Sequence, residues 1–409
     1  MSNSVTIYRL EGNVQHYAWG GTRFIPALLH LENPDNKPFA EYWLGAHENV
    51  PAVVVKPDGS RQPLNEFIRS NPAALLGEKV YRAFGRLPYL FKVLDVKDML
   101  SIQVHPDKKS AAAAFAEENK KGIALNAPDR NYKDDNHKPE LMYALSEFWL
   151  LHGFKPADAL LHQLQTVPEL QFLAPVFGKD NYAALYEKVM NMEQQEVNSR
   201  LQPLLDRIVP MYEKGLLNKN QEDFWAARAA GTFNQGNQVD RGIFSIYFFN
   251  LVHLQPGETI FQDAGIPHAY LEGQNMEIMA NSDNVLRGGL TVKHIDVNEL
   301  MKHVRFEPVV PKVITGVPGS ADGEAVFPTP VNDFELRCIT LEKDQTIQLQ
   351  AHTSDIFFVY KGAIAAQSNG TALAPISSGQ AMLAVAGATV ELKGAEQAVV
   401  FRATVPAAT

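Results

Sequence analysis

The chain has 409 residues, 45% of them hydrophobic and 20% charged, with a formal net charge of −9. That length exceeds what one hydrophobic core usually organises, so two or three domains are expected. With no basic tract and no apolar run of about 18 residues, the composition argues against nucleic-acid partners and transmembrane helices. Met1-Ser2-Asn3-Ser4-Val5 lacks the basic and apolar regions of a signal peptide. Cys338 is the only cysteine, so no internal disulfide can form. Both features lead us to expect a reducing, cytoplasmic location. Within Phe334-Glu335-Leu336-Arg337-Cys338-Ile339 the thiol reads as a packed strand residue rather than a nucleophile.

Residues 5–55 alternate short apolar runs with turns. Gln15-His16-Tyr17-Ala18-Trp19-Gly20-Gly21 sets aromatics before a glycine pair and reads as a closing loop. The segments 41–45 and 52–55 are strand-like. Helical spacing of Leu64, Phe67 and Ile68 predicts helix over 64–86, with a further turn opened by Pro72. Residues 87–104 read as two strands, with Lys92 on the face opposite Phe91. Along 100–105 the side chains alternate: Ser101, Gln103 and His105 share one face, and Leu100, Ile102 and Val104 the other. Residues 108–121 predict an exposed helix. From 156 to 235 Leu, Ala, Gln and Glu dominate, which predicts an all-helical insertion. β character is expected again at 243–250 and in a turn-fed strand over 254–261. From about 320 onward, glycines at 362, 370, 379, 387 and 394 punctuate short strands, as in a small β-sandwich or jelly roll. The segment 310–330 reads as a linker.

The densest chemistry lies in 132–140, which ends in His137-Lys138-Pro139-Glu140 before the apolar run Leu141-Met142-Tyr143-Ala144-Leu145. Charged groups at the mouth of a buried strand are costly without partners. Gln103, His105, Glu140 and His268 form a mixed nitrogen and oxygen set that suits Zn²⁺ or a similar divalent ion. The plainer reading is four unrelated polar positions on separate strands. Lys92, Lys138, Arg287 and Lys293 around such an ion suggest an anionic substrate, phosphate first, although each taken alone reads as a solvated cation.

Residues 132–140 and 268–287 resemble the two signature stretches of type I mannose-6-phosphate isomerase, and 15–20 and 101–106 are similar to that family too. The resemblance runs in order over nearly the whole chain. It implies a mainly β architecture with an α insertion. The catalytic domain would be a cupin-type β-sandwich or jelly roll over 1–155 and 236–318, with a helical domain at 156–235 and a second cupin-like domain at 319–409. It implies one zinc per chain, held by Gln103, His105, Glu140 and His268, and interconversion of mannose 6-phosphate and fructose 6-phosphate. Trp19, Lys92, Ser101 and His137 would bind substrate. Arg287 would stabilise developing anion, Lys138 and Lys293 would move protons or hold phosphate, and Glu277 is a further candidate base. If 138–140 is extended, Lys138 and Glu140 face the cavity while His137 turns to its supporting wall. Two positions depart from the family pattern: Gly288 stands where alanine is usual, and Val292 where proline is usual. A monomer with a phosphorylated hexose substrate and no nucleic-acid or membrane partner is expected. The rival readings are an Fe(II) cupin oxygenase and a non-catalytic sugar-phosphate-binding cupin.

Overall fold

Long β-rich runs without internal proline seed the central sheet. The computed structural model describes residues 5–407; residues 1–4, on which the signal-peptide reading rests, lie outside the described residues. A ten-stranded sheet is organised around the strand His268–Ala280. That strand pairs antiparallel with Tyr89–Val96, Glu140–Ala144 and Phe148–Phe154. Its register sets Glu277 opposite Lys92 and Met279 opposite Glu140, and its first residue, His268, faces Gln103. The strands Tyr89–Val96 and Phe148–Phe154 are buried along their full length. Such burial matches their mainly apolar character, which Lys92, Asp95 and His152 interrupt.

The helices Ala157–Thr166, Tyr182–Met190, Gln194–Glu213 and Glu222–Phe233 occupy the stretch expected to be helical. In Gln194–Glu213 the buried residues Val197, Leu201, Leu204, Leu205 and Ile208 recur at helical spacing and form one stripe. That stripe joins Leu151, Phe154, Ala269 and Leu271 of the sheet in a common core. The insertion is therefore packed onto the sheet that carries the site.

A nine-stranded sheet and a four-stranded sheet take up the C-terminal strands. Strict alternation in Thr346–Gln350 and Thr389–Gly394 leaves the smaller sheet with one buried face. The larger sheet also takes in Ile7–Glu11, between Val53–Val55 and Ala381–Ala384. It thus runs across the boundary expected near 318. Cys338 is a free, buried residue in Glu335–Leu341, and burial pushes its thiol up to about 11. Among the described residues no helix is long and apolar enough to cross a membrane.

Three local expectations are corrected. Residues 243–250 are expected as strand, but Gly242–Phe248 is a helix buried on every side, and the strand is Phe249–Leu254. An element apolar all round carries no periodicity to distinguish the two conformations. Of 100–105 only Gln103–Val104 is strand; before it, Leu100 N–H bonds the Tyr270 carbonyl, and Ile102 N–H bonds that of Gly289 while its own carbonyl accepts from Gly288. The expected linker contains two strands, Val317–Pro318 and Glu324–Phe327, which extend the nine-stranded sheet.

Candidate metal centre

Three strand ends converge. Glu140 opens the strand Glu140–Ala144, His268 opens His268–Ala280, and His105 follows Gln103–Val104. One ligand atom from each of His105, Glu140 and His268 lies within 4.8 Å of the others, and all three residues are buried. Nε2 of His105 is 3.4 Å from Oε1 of Glu140, and Nε2 of His268 is 3.3 Å from Oε2. Each imidazole donates from Nδ1 to a backbone carbonyl, His105 to Asn284 and His268 to Ile266, both at 2.9 Å. Those bonds fix the tautomer and turn both Nε2 lone pairs toward the carboxylate. Burial lowers His105 to about 4, which keeps the ring neutral. Its Nε2 is buried with no hydrogen-bond partner. A buried orphan acceptor beside a second imidazole and a carboxylate fits a divalent ion. Gln103 is cross-strand neighbour to His268 and lines the same small cavity as Glu140 and His268.

Two cavities meet at Gln103. The smaller, about 50 Å³, contains Glu140, His268, Lys92, Lys138 and Glu277 in its wall. Lys138 Nζ is 2.9 Å from Glu140. Burial would raise the Glu140 carboxyl, but Lys138 and His105 hold it well below the usual carboxylate range. Lys92 lies 3.3 Å from Glu41 and 3.6 Å from Glu277. Burial opposes its charge, yet the two carboxylates outweigh burial and keep it protonated. Burial, with the charge of Glu140, pushes Glu277 up to about 7, and Tyr270 donates to it at 2.9 Å.

The larger cavity, about 570 Å³, has Trp19, Ser101, Arg287 and Lys293 in its wall, with Thr232 and Phe233 contributed by the helical insertion. Burial lowers Arg287; burial and then Arg287 lower Lys293, and no carboxylate among the described residues counters either shift. Two cations without acidic partners at one cavity wall favour an anion. His137 is not brought into either cavity: its Nε2 lies 2.9 Å from Asp333 in the C-terminal part of the chain.

The stretch 132–140 works partly through a turn far along the chain. Asp134 accepts from the Asp283 N–H at 2.7 Å and the Ser282 hydroxyl at 2.8 Å. Asn284 Oδ1 accepts from the Lys133 N–H at 2.7 Å. The carbonyl that orients His105 is thereby stitched to the Tyr132–Asn136 segment. Asp134, Asn284, Tyr270 and Glu41 are functional neighbours that sequence reasoning missed. Tyr270 and Asn284 lie within a signature stretch, so a signal existed; nothing in the sequence points to Thr232 or Phe233. Gly288 has a local cause. A Cβ there would lie 2.4 Å from the Tyr186 hydroxyl, which comes from the insertion. Val292 is 68% exposed at the rim, where nothing in the structure calls for proline.

Comparison with known proteins agrees with this geometry. Residues 7–157 match phosphomannose isomerase type I, catalytic domain. Mannose-6-phosphate isomerase of Salmonella typhimurium is 37% identical over 87% of this chain and 88% of its own length. The Homo sapiens protein of that name is 32% identical over 97% of this chain and 98% of its own. A crystal structure of the Salmonella typhimurium enzyme bound to its substrate and to a zinc atom superposes with a TM-score of 0.86. It is 33% identical, and the match covers 98% of this chain and 100% of that one.

Proposed function

The chain belongs to the type I phosphomannose isomerase family, and from that premise we propose that it is a zinc-dependent isomerase interconverting mannose 6-phosphate and fructose 6-phosphate. Gln103, His105, Glu140 and His268 hold the ion. The observation that carries this reading is the buried, partnerless Nε2 of His105 facing Glu140 and His268. Zinc bound there supplies a Lewis acid that polarises the sugar carbonyl.

The remaining work falls to side chains. Isomerisation moves a proton between adjacent carbons through an enediolate, so it needs a base near those carbons and positive charge near the developing anion. Glu277 is the base: it lines the smaller cavity, and its raised pKa suits proton exchange near neutrality. Lys92, clamped by two carboxylates, holds Glu277 in place. Lys138 orients Glu140 and meets the sugar hydroxyls. Arg287 and Lys293 take the phosphate and the developing charge from the larger cavity, with Trp19 and Ser101 as its walls. Binding the remote phosphate then orients the reacting end over the smaller cavity.

We read the two β systems as cupin-type, the first interrupted by the helical insertion at 156–235 and the second sharing the nine-stranded sheet with residues 7–11 and 53–55. The C-terminal one is structural: its His352 directs Nδ1 at the Val405 carbonyl, 3.1 Å away. The net charge of −9 supports a protein without a nucleic-acid partner, and the single cysteine supports a reducing, cytoplasmic location. Metal analysis of the purified protein, with mannose 6-phosphate turnover before and after chelation, tests the proposal. About one zinc per chain is expected, with activity lost on chelation and regained with Zn²⁺. Full turnover in metal-free protein would refute it.

A further inference from the structure

The segment carrying Arg287 and Lys293 departs from regular structure as soon as it leaves its strand. Leu286–Arg287 pairs with Gln103–Val104, and then Gly289 and Leu290 both take positive φ, 127° and 52°. For leucine that conformation is unfavourable and persists only where the surroundings impose it. They do so through one carboxylate. Asp240, just before the buried helix Gly242–Phe248, accepts three backbone N–H groups. Its Oδ1 takes Gly242 at 2.7 Å and Leu290 at 2.8 Å, and its Oδ2 takes Thr291 at 3.1 Å. The two backbones touch: a Cβ on Gly289 would sit 2.4 Å from the Gly242 Cα, and one on Gly242 would sit 2.5 Å from the Leu290 nitrogen. Asp240 is itself held by its own N–H on Asn234 Oδ1 at 3.0 Å.

We propose that Asp240 is a positioning residue, which fixes the backbone of 288–291 so that Arg287 before it and Lys293 after it address one cavity. This rests on the reading that the larger cavity takes the sugar phosphate. The part of the helical insertion that matters to catalysis is then its exit, which grips the substrate loop, as well as Thr232 and Phe233 in the cavity wall. Asparagine cannot replace Asp240 in this role, because whichever way its amide is turned, an NH₂ meets at least one backbone donor.

The test uses the whole zinc-loaded chain. Asp240→Asn should keep the zinc stoichiometry and lower kcat/KM by about tenfold to a hundredfold, the scale of losing a charge-assisted hydrogen bond that orders a binding loop. Hydrogen exchange should quicken in peptides spanning 286–293 and stay unchanged in the sheet. In an Arg287→Ala/Lys293→Ala background Asp240→Asn should cost less than about threefold, because both residues it positions are already gone. Unchanged kcat/KM, exchange that quickens throughout the insertion, or fully multiplicative losses would each overturn the proposal. If Asp240→Asn yields no folded protein, the wild-type enzyme decides. Leu290 and Thr291 amides protected like those of the sheet support the anchor, and free exchange there overturns it. Should Arg287→Ala and Lys293→Ala leave kcat/KM intact while 286–293 still loosens in Asp240→Asn, the phosphate reading fails and the anchor stands.

Discussion

Gly288→Ala should destabilise this protein, and the same change should become neutral or stabilising once Tyr186 is changed to phenylalanine. Gly288 is not among the residues at positive φ, so alanine's backbone is permitted there. By itself it would gain about 0.4–1 kcal/mol through the unfolded chain. Against that stands the clash: the new Cβ falls 2.4 Å from the Tyr186 hydroxyl, whereas Ile102 Cγ2, at 3.2 Å, needs only a small adjustment. The tyrosine cannot swing away freely, because its ring packs against Phe154 and Phe249 at centroid distances of 5.6 and 6.0 Å. Overpacking of this kind costs about 1–3 kcal/mol. The net loss is therefore about 1–2 kcal/mol, a melting temperature about 1–2 °C lower at the usual unfolding entropy per residue. The Tyr186 hydroxyl is buried without a hydrogen-bond partner, so Tyr186→Phe alone should be neutral or stabilising by up to about 1 kcal/mol. In that background the obstacle is gone and the backbone gain remains. Thermal unfolding of the four zinc-loaded proteins measures the coupling, expected at the size of the clash, about 1–3 kcal/mol. An equal loss from Gly288→Ala in both backgrounds would refute the reasoning.

Three other outcomes follow from the site. Lys138→Ala should lower kcat/KM by at least about a hundredfold, while His137→Ala, which removes the contact to Asp333, should change it by less than about threefold and register chiefly in stability; equal losses in turnover would reject this assignment. Gln103→Glu should keep zinc at full stoichiometry yet cost about one to three orders of magnitude in kcat, because the added carboxylate cancels positive charge needed beside an enediolate; wild-type turnover in the loaded variant would show that the neutral amide is dispensable. Burial pushes Glu277 above the usual carboxylate range and it must be ionised to act as a base, so kcat/KM should rise with pH along an acid limb that vanishes in Glu277→Gln. An acid limb that persists unchanged in Glu277→Gln would exclude Glu277 as the titrating base.

What the sequence reveals depends on whether the physics is local. Glu140 is legible because it opens a strand whose apolar run is obvious, and His105 and His268 because each stands at a strand end within a short polar-and-apolar motif. Gln103, expected to share a face with His105, lines the small cavity with Glu140 and His268, although only two residues there are strand. Lys138 and His137 diverge as period-two geometry requires. The segment 243–250 misleads because a helix buried on all sides and a buried strand share one composition. Asp240 and Tyr186 are invisible for another reason. Each acts on a backbone or a hydroxyl dozens of residues away, and a single sequence carries no record of that pairing. The registry of Ile7–Glu11 beside Ala381–Ala384 belongs to the same class.

That last pairing has a consequence for the newborn chain. Ile7 lies opposite Ala384, and the strand Ile7–Glu11 is flanked on its other side by Val53–Val55. The core that holds Leu10 and Val54 also holds Phe91, Met276, Ile356 and Phe401. During translation this strand leaves the ribosome long before its partner, then waits with one hydrogen-bonding edge open until nearly all of the remaining chain has been made. At about 5–20 residues per second that interval lasts some tens of seconds. An open strand edge is a template for pairing with other chains. Synthesis of this protein therefore includes a period in which the edge of 7–11 lacks its late partner, and a stalled ribosome would leave that core open on one side.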